Sequence, residues 1–506
     1  MKPQAAREPT SFEEIAAAYR HARFAEAARA IDARFATGVD PKSGLIALRA
    51  RIALKNDPPL ALEILARHAA AMRTSGERAE AAMLAGIAYA RLGDRKAAVA
   101  KLDVAAKAAR DPQLMAEIAY ARAQAAWIAR KLSLAERLLT AVRPMASQDV
   151  RLEAAVLRGA IAASRGNPAE QGALLLEALH ELRRHGDPPV LTWAVIASQI
   201  AYLSRELPGT SLRDAALDEL AKVPWTPDLG GYRFTMTRAI GWRHALDGDY
   251  FNAFRRFKDA SRLAPTPPWQ VMASCDRAYV ATVLGESRWA EQELSDAHEL
   301  AAGIAWQALD GEERFALLVL AELFAPHDAS LALAYVARYK SVGKHFDATL
   351  ASRSDRRVEA GEAYAFGVVQ AALGERDEAK RLLEAAYAVY AAIGYEWRAG
   401  RAASALERIS NNPSWRERAH DMLRSYPRSW LAAPRVERSH RERPELAKLT
   451  LAQRSVYDLL LTGRSTAEIA AEQGRSEFTI RNHIKVIFKV FGVNSRPALL
   501  ARNNES

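Results

Sequence analysis

The stretch Gly241–Pro265, GWRHALDGDYFNAFRRFKDASRLAP, decides the fold class. Gly248–Tyr250 separates two segments with helical character, and a Gly-Asp pair is typical of a tight turn. After this turn, Ala253, Phe257 and Ala260 recur at spacings of four and three, which places them on one face of a helix. The stretch therefore predicts two helices that approach closely at the alanines, with Phe257 filling the gap between them and the final proline closing the unit.

The same pattern recurs along the chain. Strong copies have a turn glycine followed by residues at the same spacing: Gly93 with Ala98, Leu102 and Ala105; Gly285 with Ala290, Leu294 and Ala297; Gly374 with Ala379, Leu383 and Ala386. Weaker copies occur around Phe24, Ala27 and Ile31, around Ala135 and Leu139, and around Gly166 and Leu175. The unit resembles the tetratricopeptide repeat, which implies stacked helix pairs in a curved α-solenoid with a concave face. We predict this array from about Ser11 to about Ile409; an all-α bundle with chance alanine spacing is the alternative.

Composition agrees with a globular chain and adds a hint about partners. Of the 506 residues, 50% are hydrophobic and 26% are charged, with a net charge of +11. A basic balance favours an anionic partner, either nucleic acid or a membrane surface, although the charge is equally consistent with a solvated surface. Residues 1–10 have no apolar segment typical of a secretory signal and are predicted to be disordered, and no apolar run is long enough to span a membrane. We therefore expect a cytoplasmic protein without membrane association.

Cysteine and tryptophan residues give no strong sign of a site. Cys275 is the single cysteine, which excludes an intramolecular disulfide and is typical of a small buried hydrophobic residue. Five tryptophans could line a ligand groove, but at helical spacing they are more typical of the core between repeats: Trp127, Trp193, Trp242, Trp269 and Trp289.

The amino-acid composition changes between residues 410 and 447. Four prolines and the charged run RVERSHRER lie here, and a short helix from Ser414 to Ser425 is predicted before a mobile linker. The arginines of the linker could contact phosphate, but a solvated linker explains them as well.

The last segment, residues 448–506, has its own helical pattern. Two capping boxes, TLAQ at Thr450–Gln453 and STAE at Ser465–Glu468, predict the starts of two helices. The first carries the apolar residues Val456, Tyr457, Leu459 and Leu460 and ends at Gly463. The second turns Ala467, Ile469, Ala470 and Gln473 inward, and Gly474 permits the turn after it.

A third helix is predicted from an N-cap at Ser476 to a stop at Gly492. Ile480, Ile484, Ile487 and Phe491 form one buried stripe on it, with Phe488 at the edge. Arg481, Asn482, Lys485 and Lys489 fall mainly away from this stripe. A helix that buries one side and presents cationic and amide groups on the other suits the major groove of DNA, where base edges and phosphates offer acceptors.

From Leu449 to about Arg496 the chain closely resembles the LuxR-type (GerE-like) helix-turn-helix domain of bacterial transcription regulators. The matching residues include Leu449-Thr450, Val456, Gly463, Ser465, Glu468-Ile469-Ala470, Thr479-Ile480, His483, Ile487 and Gly492-Val493-Asn494-Ser495-Arg496. The chain departs from the family's usual residues at Gln453, Thr466-Ala467 and Gln473, and the last departure is expected to loosen the turn slightly.

The resemblance implies that the third helix contacts DNA. It assigns base and phosphate contacts to Arg481, Asn482 and Lys485, and a phosphate contact to Lys489. Ser476 and Thr479 could reach phosphate at the helix N-terminus, although capping also explains both residues. The resemblance gives His483 a structural role. It also implies that the last helix, with Leu499 and Leu500, pairs two domains on DNA, although packing within one domain would explain these leucines too.

Catalytic motifs are missing from the sequence. The segment GVDPKSG at Gly38–Gly44 lacks the second glycine that a phosphate-binding loop needs before its lysine, and it does not follow a strand. His180 and His185 are five residues apart and do not share a helix face, so they do not suggest a metal site. We expect neither an enzyme nor a bound cofactor.

The sequence thus predicts an all-α protein: a tetratricopeptide-like α-solenoid at 11–409, a helix and linker at 410–447, and a four-helix LuxR-type domain at 448–506. The predicted function is that of a bacterial transcription regulator that binds double-stranded promoter DNA as a homodimer. A protein or small-molecule effector would act on the repeat region, and RNA polymerase is a candidate further partner. The alternative is a helical-repeat interaction scaffold whose terminal module no longer binds DNA.

Overall fold

The computed structural model describes residues 9, 11–37, 42–142, 146–284, 286–309, 311–344, 356–431, 445, 448–461, 464–473 and 475–504. All regular secondary structure in these residues is helical, which confirms the predicted all-α class. The expected disorder of residues 1–10 falls outside the described residues apart from Pro9, as do most of the segment GVDPKSG at 38–44 and the glycines Gly285, Gly463 and Gly474.

The α-helices of the N-terminal half are α1 (Phe12–Arg20), α2 (Phe24–Ala36), α3 (Ser43–Asn56), α4 (Pro58–Arg67), α5 (Ser75–Arg91), α6 (Arg95–Ala108), α7 (Pro112–Ile128), α8 (Leu132–Val142), α9 (Gln148–Ser164), α10 (Pro168–Arg183), α11 (Val190–Glu206) and α12 (Ser211–Lys222). The following helices are α13 (Gly230–Leu246), α14 (Tyr250–Leu263), α15 (Pro267–Val283), α16 (Ser287–Ala302), α17 (Phe315–Phe324), α18 (Ala329–Lys344), α19 (Arg356–Ala372), α20 (Arg376–Ala392), α21 (Glu396–Ser410) and α22 (Pro413–Met422). The C-terminal helices are α23 (Leu451–Leu461), α24 (Thr466–Gln473), α25 (Glu477–Phe491) and α26 (Arg496–Asn504). Short 3-10 helices lie at Ala69–Ala71, Pro227–Leu229, Trp306–Ala308 and Gly311–Arg314.

The hairpin of α13 and α14 is the unit predicted from Gly241–Pro265. Gly248 adopts a left-handed backbone conformation with φ of 81° in the turn. The side chain of Asp249 accepts a hydrogen bond from the Asn252 backbone N–H at 3.1 Å, so it caps α14. Ala253, Phe257 and Ala260 are all buried, as predicted.

A glycine in the first helix of several hairpins permits close packing. A Cβ atom at Gly241 would lie 2.6 Å from the ring of Phe257, so no larger residue fits without a shift of the ring. The same relation holds for Gly86 against Leu102 at 2.6 Å and for Gly367 against Leu383 at 2.8 Å. The repeat pattern therefore has a steric cause: a glycine on one helix accepts a bulky residue from its partner.

The other predicted copies pack in the same way. The residues predicted at these positions after Gly93, Gly285 and Gly374 are buried, namely Ala98, Leu102, Ala105, Ala290, Leu294, Ala297, Ala379, Leu383 and Ala386. In the weaker copies, Phe24, Ala27, Ile31, Ala135, Leu139 and Leu175 are buried as well. The stacked hairpins confirm the tetratricopeptide-like array.

The five tryptophans pack against neighbouring helices. Trp127 Nε1 donates to Ser164 at 3.1 Å, Trp242 Nε1 donates to Asp276 at 3.0 Å, and Trp193 Nε1 donates to Glu219. The rings of Trp269 and Trp289 contact those of Phe234 and Phe254, with centroids 5.0 and 4.2 Å apart. Cys275 is buried, and burial raises the pKa of its thiol well above the ordinary value, as expected for a packing residue.

The N-terminal helices also contact a distant part of the chain. Arg20 forms an ion pair with Asp149 at 2.8 Å, and the Thr226 hydroxyl donates to the Ala22 carbonyl at 2.8 Å. Phe24 belongs to the same buried cluster as residues of α11. The first part of the solenoid therefore closes on itself through contacts between residues that are 129 and 204 positions apart.

A second closure joins α11 to α21. The buried carboxylate of Glu206 accepts hydrogen bonds from Arg398 at 2.7 Å and from Trp397 Nε1 at 2.9 Å. Further on, Trp430 Nε1 donates to the Tyr279 hydroxyl at 3.1 Å. These contacts bring the last helices of the solenoid against helices near its middle.

The predicted short helix near residue 414 is present as α22. The residues after it, up to Leu431, pack on the solenoid instead of starting a mobile linker. Tyr426 is buried with Leu246 and Trp397, and Trp430 lies at the edge of the same cluster. The many charged residues of this region suggested a linker, but Tyr426 and Trp430 attach it to the solenoid. The charged run RVERSHRER lies outside the described residues.

Candidate nucleic-acid interface

Helix α25 has the caps predicted for it. Ser476 Oγ accepts a hydrogen bond from the Thr479 backbone N–H at 3.2 Å, which satisfies a donor at the helix N-terminus. Gly492 ends the helix in a left-handed conformation with φ of 62°. The helix is therefore held at both ends by local sequence.

The inward face of α25 forms the core of the C-terminal domain. Ile480, Ile487 and Phe491 are buried, while Ile484 is partly buried. The Phe491 ring stacks on that of Tyr457 from α23, with centroids 4.8 Å apart. Helices α23 and α24 both pack against α25.

Both predicted capping boxes are formed. Thr450 and Gln453 exchange side-chain to backbone hydrogen bonds of 2.9 and 3.4 Å. Ser465 and Glu468 exchange bonds of 2.7 and 3.3 Å. These reciprocal bonds fix where α23 and α24 begin.

One of the positions predicted to face inward on α24 is exposed, and another carries a buried amide. Ala467 is exposed, because the inward face of α24 begins at Ile469. Gln473 is buried, as expected, and its Nε2 donates to Ser455 Oγ at 2.9 Å, although its Oε1 lacks a partner among the described residues. The hydrogen bond to α23 compensates in part for burying an amide where an apolar residue is usual.

The four predicted DNA-contacting residues Arg481, Asn482, Lys485 and Lys489 are all exposed on α25. Arg481 forms an ion pair with Glu477 one turn earlier, at 2.9 Å, and both side chains are open to solvent. An exposed ion pair of this kind is weak, so Arg481 can leave Glu477 and contact a DNA phosphate at little cost.

Ser476 and Thr479 lie at the start of the same face. Their hydroxyl oxygens are 2.9 Å apart, and Ser476 caps the helix. Capping accounts for their positions. Both remain candidates for a phosphate contact, because their hydroxyls lie at the N-terminus of α25.

His483 is partly buried, and its Nε2 lies 3.2 Å from an Arg475 guanidinium nitrogen. Burial and the Arg475 charge lower the pKa of His483. A neutral ring that accepts from Arg475 fits the structural role expected for this residue.

Sequence reasoning missed an apolar group on the exposed face. Phe478 is 73% exposed at the start of α25, and Val486 is exposed two turns further on. Both share the face that carries Asn482 and Lys485. The spacing from Phe478 to Asn482 and Val486 could have shown this, since the residues are four apart.

The last helix, α26, packs within its own domain. Leu499 is buried in the domain core, and Arg496 donates to the Leu460 carbonyl at 2.6 Å. Leu500 is partly exposed. Packing within one domain therefore explains Leu499, and the pairing role expected for Leu500 stays a prediction.

The C-terminal domain also contacts the solenoid, which the sequence did not predict. Arg454 of α23 donates to the Leu284 carbonyl at 3.1 Å and forms an ion pair with Glu286 at 3.1 Å. The Arg475 guanidinium lies over the Phe251 ring of α14, 5.3 Å from its centroid. In α23, partial desolvation raises the pKa of Asp458, whose side chain is still exposed, and the charge of Arg454 partly offsets this.

A capped helix with an apolar inner face and cationic outer face, packed across two shorter capped helices, defines a helix-turn-helix domain. Residues 447–502 match the family model for "Bacterial regulatory proteins, luxR family". The C-terminal domain is a LuxR-family domain, which confirms the resemblance seen in the sequence. No curated protein sequence matches the chain.

Solved structures with similar helical repeats include "Crystal Structure of Rap Protein Complexed with Competence and Sporulation Factor", at a TM-score of 0.37 and 11% identity, covering 68% of this chain and 99% of that one. Another is "Crystal structure of APC/C hetero-tetramer Cut9-Hcn1", at a TM-score of 0.25 and 14% identity, covering 97% and 96%. Similarity at these scores carries no argument about function.

Within the described ranges, no group of three or more His, Cys, Asp or Glu side chains is arranged to hold a metal ion. In the same residues, none of the helices has the length and apolar character needed to cross a membrane.

Proposed function

We propose that this protein is a DNA-binding transcription regulator. Its LuxR-family domain binds promoter DNA by placing α25 in the major groove. Its solenoid receives a protein or small-molecule signal. Binding as a homodimer, with Leu500 near the pairing surface, and contact with RNA polymerase extend the same proposal. The protein acts in the cytoplasm, where promoter DNA is found, and it acts by binding and not by catalysis.

The observation that carries this proposal is the division of α25 into two faces. One face supplies the core of the domain, and the other presents Arg481, Asn482, Lys485 and Lys489 to solvent. Arginine and asparagine form paired hydrogen bonds with base edges, and lysine neutralises phosphate. Phe478 adds an apolar side chain of the kind that contacts thymine methyl groups.

The test is a gel-shift titration of the full chain on random-sequence duplex DNA at several salt concentrations. The double variant Arg481→Ala, Lys485→Ala should bind more weakly. If both residues contact phosphate, its log–log salt slope should be smaller by about 1.8, at roughly 0.9 for each lost contact. Arg262→Ala with Arg381→Ala is the matched control, since both arginines are exposed on the solenoid.

Unchanged far-ultraviolet circular dichroism would show that the variant domain is folded. Equal affinity and equal salt slope in the double variant and the control would contradict the proposal. That result would favour an interaction scaffold whose terminal module no longer binds DNA.

A further inference from the structure

The second half of the solenoid borders a cavity of about 1270 Å³ that is open to solvent on one side. Its walls come from α15, α16, α17, α19, α20, α21 and α22, and from the segment after α22 that ends in Trp430 and Leu431. The contacts of Glu206 with Arg398 and of Trp430 with Tyr279 close this part of the chain. The volume is at the upper end of, or above, that of usual small-molecule sites, so an elongated ligand fits.

Aliphatic side chains form one part of the cavity wall. Val283, Leu323, Val368 and Leu423 line it from four different helices or their ends. An apolar ligand body would bury this surface, and the stabilisation would grow with the area removed from water.

Arginines form another part of the wall. Four of them line the cavity, and three have a carboxylate partner, in the pairs Arg401–Glu322, Arg416–Glu407 and Arg424–Asp421. Arg408 also lines the cavity, and within the described residues no carboxylate lies at ion-pair distance from it. The wall therefore has a cationic group that a ligand anion can neutralise.

The cavity adjoins two of the connections between the solenoid and the LuxR-family domain. Val283 lines the cavity, and the carbonyl of the next residue, Leu284, accepts a hydrogen bond from Arg454 of α23. Trp430 lines it too, and lies in the segment that leads along the chain to the same domain. A ligand that moves the wall at Val283 would disturb the hydrogen bond from Arg454, and one that moves Trp430 would disturb the segment that leads to the DNA-binding module.

We propose that this cavity binds an amphipathic organic anion, with its apolar body along the aliphatic wall and its anionic group at Arg408. This ligand is the effector of the regulator proposed above, and to that extent the inference rests on the proposed function. Arg408 is a ligand-binding residue in this scheme, and Val283 and Leu423 select an apolar body.

The experiment measures binding to the full chain without DNA, by isothermal titration with dodecanoate and by fluorescence of 8-anilinonaphthalene-1-sulfonate displaced by dodecanoate. The wild-type protein should bind one dodecanoate in the cavity. Arg408→Ala should weaken binding by roughly 10- to 100-fold, the range for a lost hydrogen bond to a charged group. Arg381→Ala on α20, an exposed arginine outside the cavity, should leave the affinity unchanged.

Two further measurements test the location and the charge. Ala372→Trp, at an exposed position at the cavity edge, should compete for ligand space and weaken binding. Dodecyltrimethylammonium, with a similar chain and the opposite charge, should bind at least 10-fold more weakly than dodecanoate.

Absence of saturable binding, wild-type affinity in Arg408→Ala, or equal affinity for the cationic analogue would overturn the inference. If Ala372→Trp does not fold, the Arg408 comparison still decides it. Because no DNA is present, failure here leaves the DNA-binding proposal standing, and a failed gel shift leaves this binding site standing.

Discussion

Glu206→Gln tests the contact that closes the second half of the solenoid. Glu206 is fully buried, and its carboxylate accepts hydrogen bonds from Arg205 at 2.8 Å, Arg398 at 2.7 Å and Trp397 at 2.9 Å. In the variant, an amide NH₂ replaces one oxygen and faces donors instead of accepting from them. The buried Arg205 and the partly buried Arg398 also lose their counter-charge.

The free energy of unfolding that Glu206 contributes follows from its lowered pKa, and the usual cost of breaking a buried ion pair agrees with it. Burial alone would raise the pKa of Glu206, but the charges of Arg205 and Arg398 outweigh burial and lower the pKa from 4.5 to about 2. That difference corresponds to roughly 3 kcal/mol at neutral pH. Breaking a buried ion pair by removing one partner costs about 3–5 kcal/mol in other proteins.

The assay is hydrogen exchange of the amides in α11 and α21, because a solenoid of this length need not unfold in one step. A loss of about 3 kcal/mol should speed exchange through local opening by roughly 100-fold or more. Glu378→Gln is the control, since Glu378 forms an exposed pair with Arg381 one turn away and should change exchange little.

The wild-type protein supplies a second check through pH. Because the folded pKa lies below the ordinary value, the stabilisation is complete above about pH 4.5 and is lost as the pH falls through about 2. Exchange rates in α21 that are the same in Glu206→Gln and wild type would refute the reasoning, and would mean that aliphatic packing alone holds the closure.

Two further predictions concern the packing between hairpins and a carboxyl group in the N-terminal half. Gly241→Ala should lower the melting temperature, because its Cβ would meet Phe257 at 2.6 Å and overpacking costs about 1–3 kcal/mol. Gly231→Ala is the control in the same helix: its Cβ would have nothing within 4 Å, so the change should be neutral or slightly stabilising. Similar losses of melting temperature in both variants would contradict the steric explanation. Partial desolvation by the surrounding helices raises the pKa of Glu153 to about 6, although its side chain is still exposed, so a small contribution to stability is present below about pH 4.5 and is lost as the pH rises through about 6. Glu153→Gln should therefore raise the melting temperature at about pH 7.5 more than at about pH 4.5, and an equal change at both would count against this assignment.

Much of the candidate interface could be predicted from the sequence because its determinants are local. The cap at Ser476, the stop at Gly492 and the capping boxes at Thr450 and Ser465 each depend on residues within one helical turn. Periodicity then separated the buried Ile480 and Ile487 from the exposed cations. Ala467 was misplaced because a short helix leaves the edge of its inner face uncertain by one residue.

The sequence by itself determined the helices, the repeated pattern of helix pairs and the two faces of α25. These features follow from the spacing of apolar residues and from helix caps, which involve residues only a few positions apart. Only the tertiary structure decided which distant groups meet: Glu206 with Arg398, Trp430 with Tyr279, and Arg454 with the Leu284 carbonyl. Each of these contacts joins residues more than a hundred positions apart, so it depends on the accumulated curvature of many stacked hairpins. No pattern within a few residues specifies this accumulated curvature. The cavity and the position of the DNA-binding domain against the solenoid both depend on it.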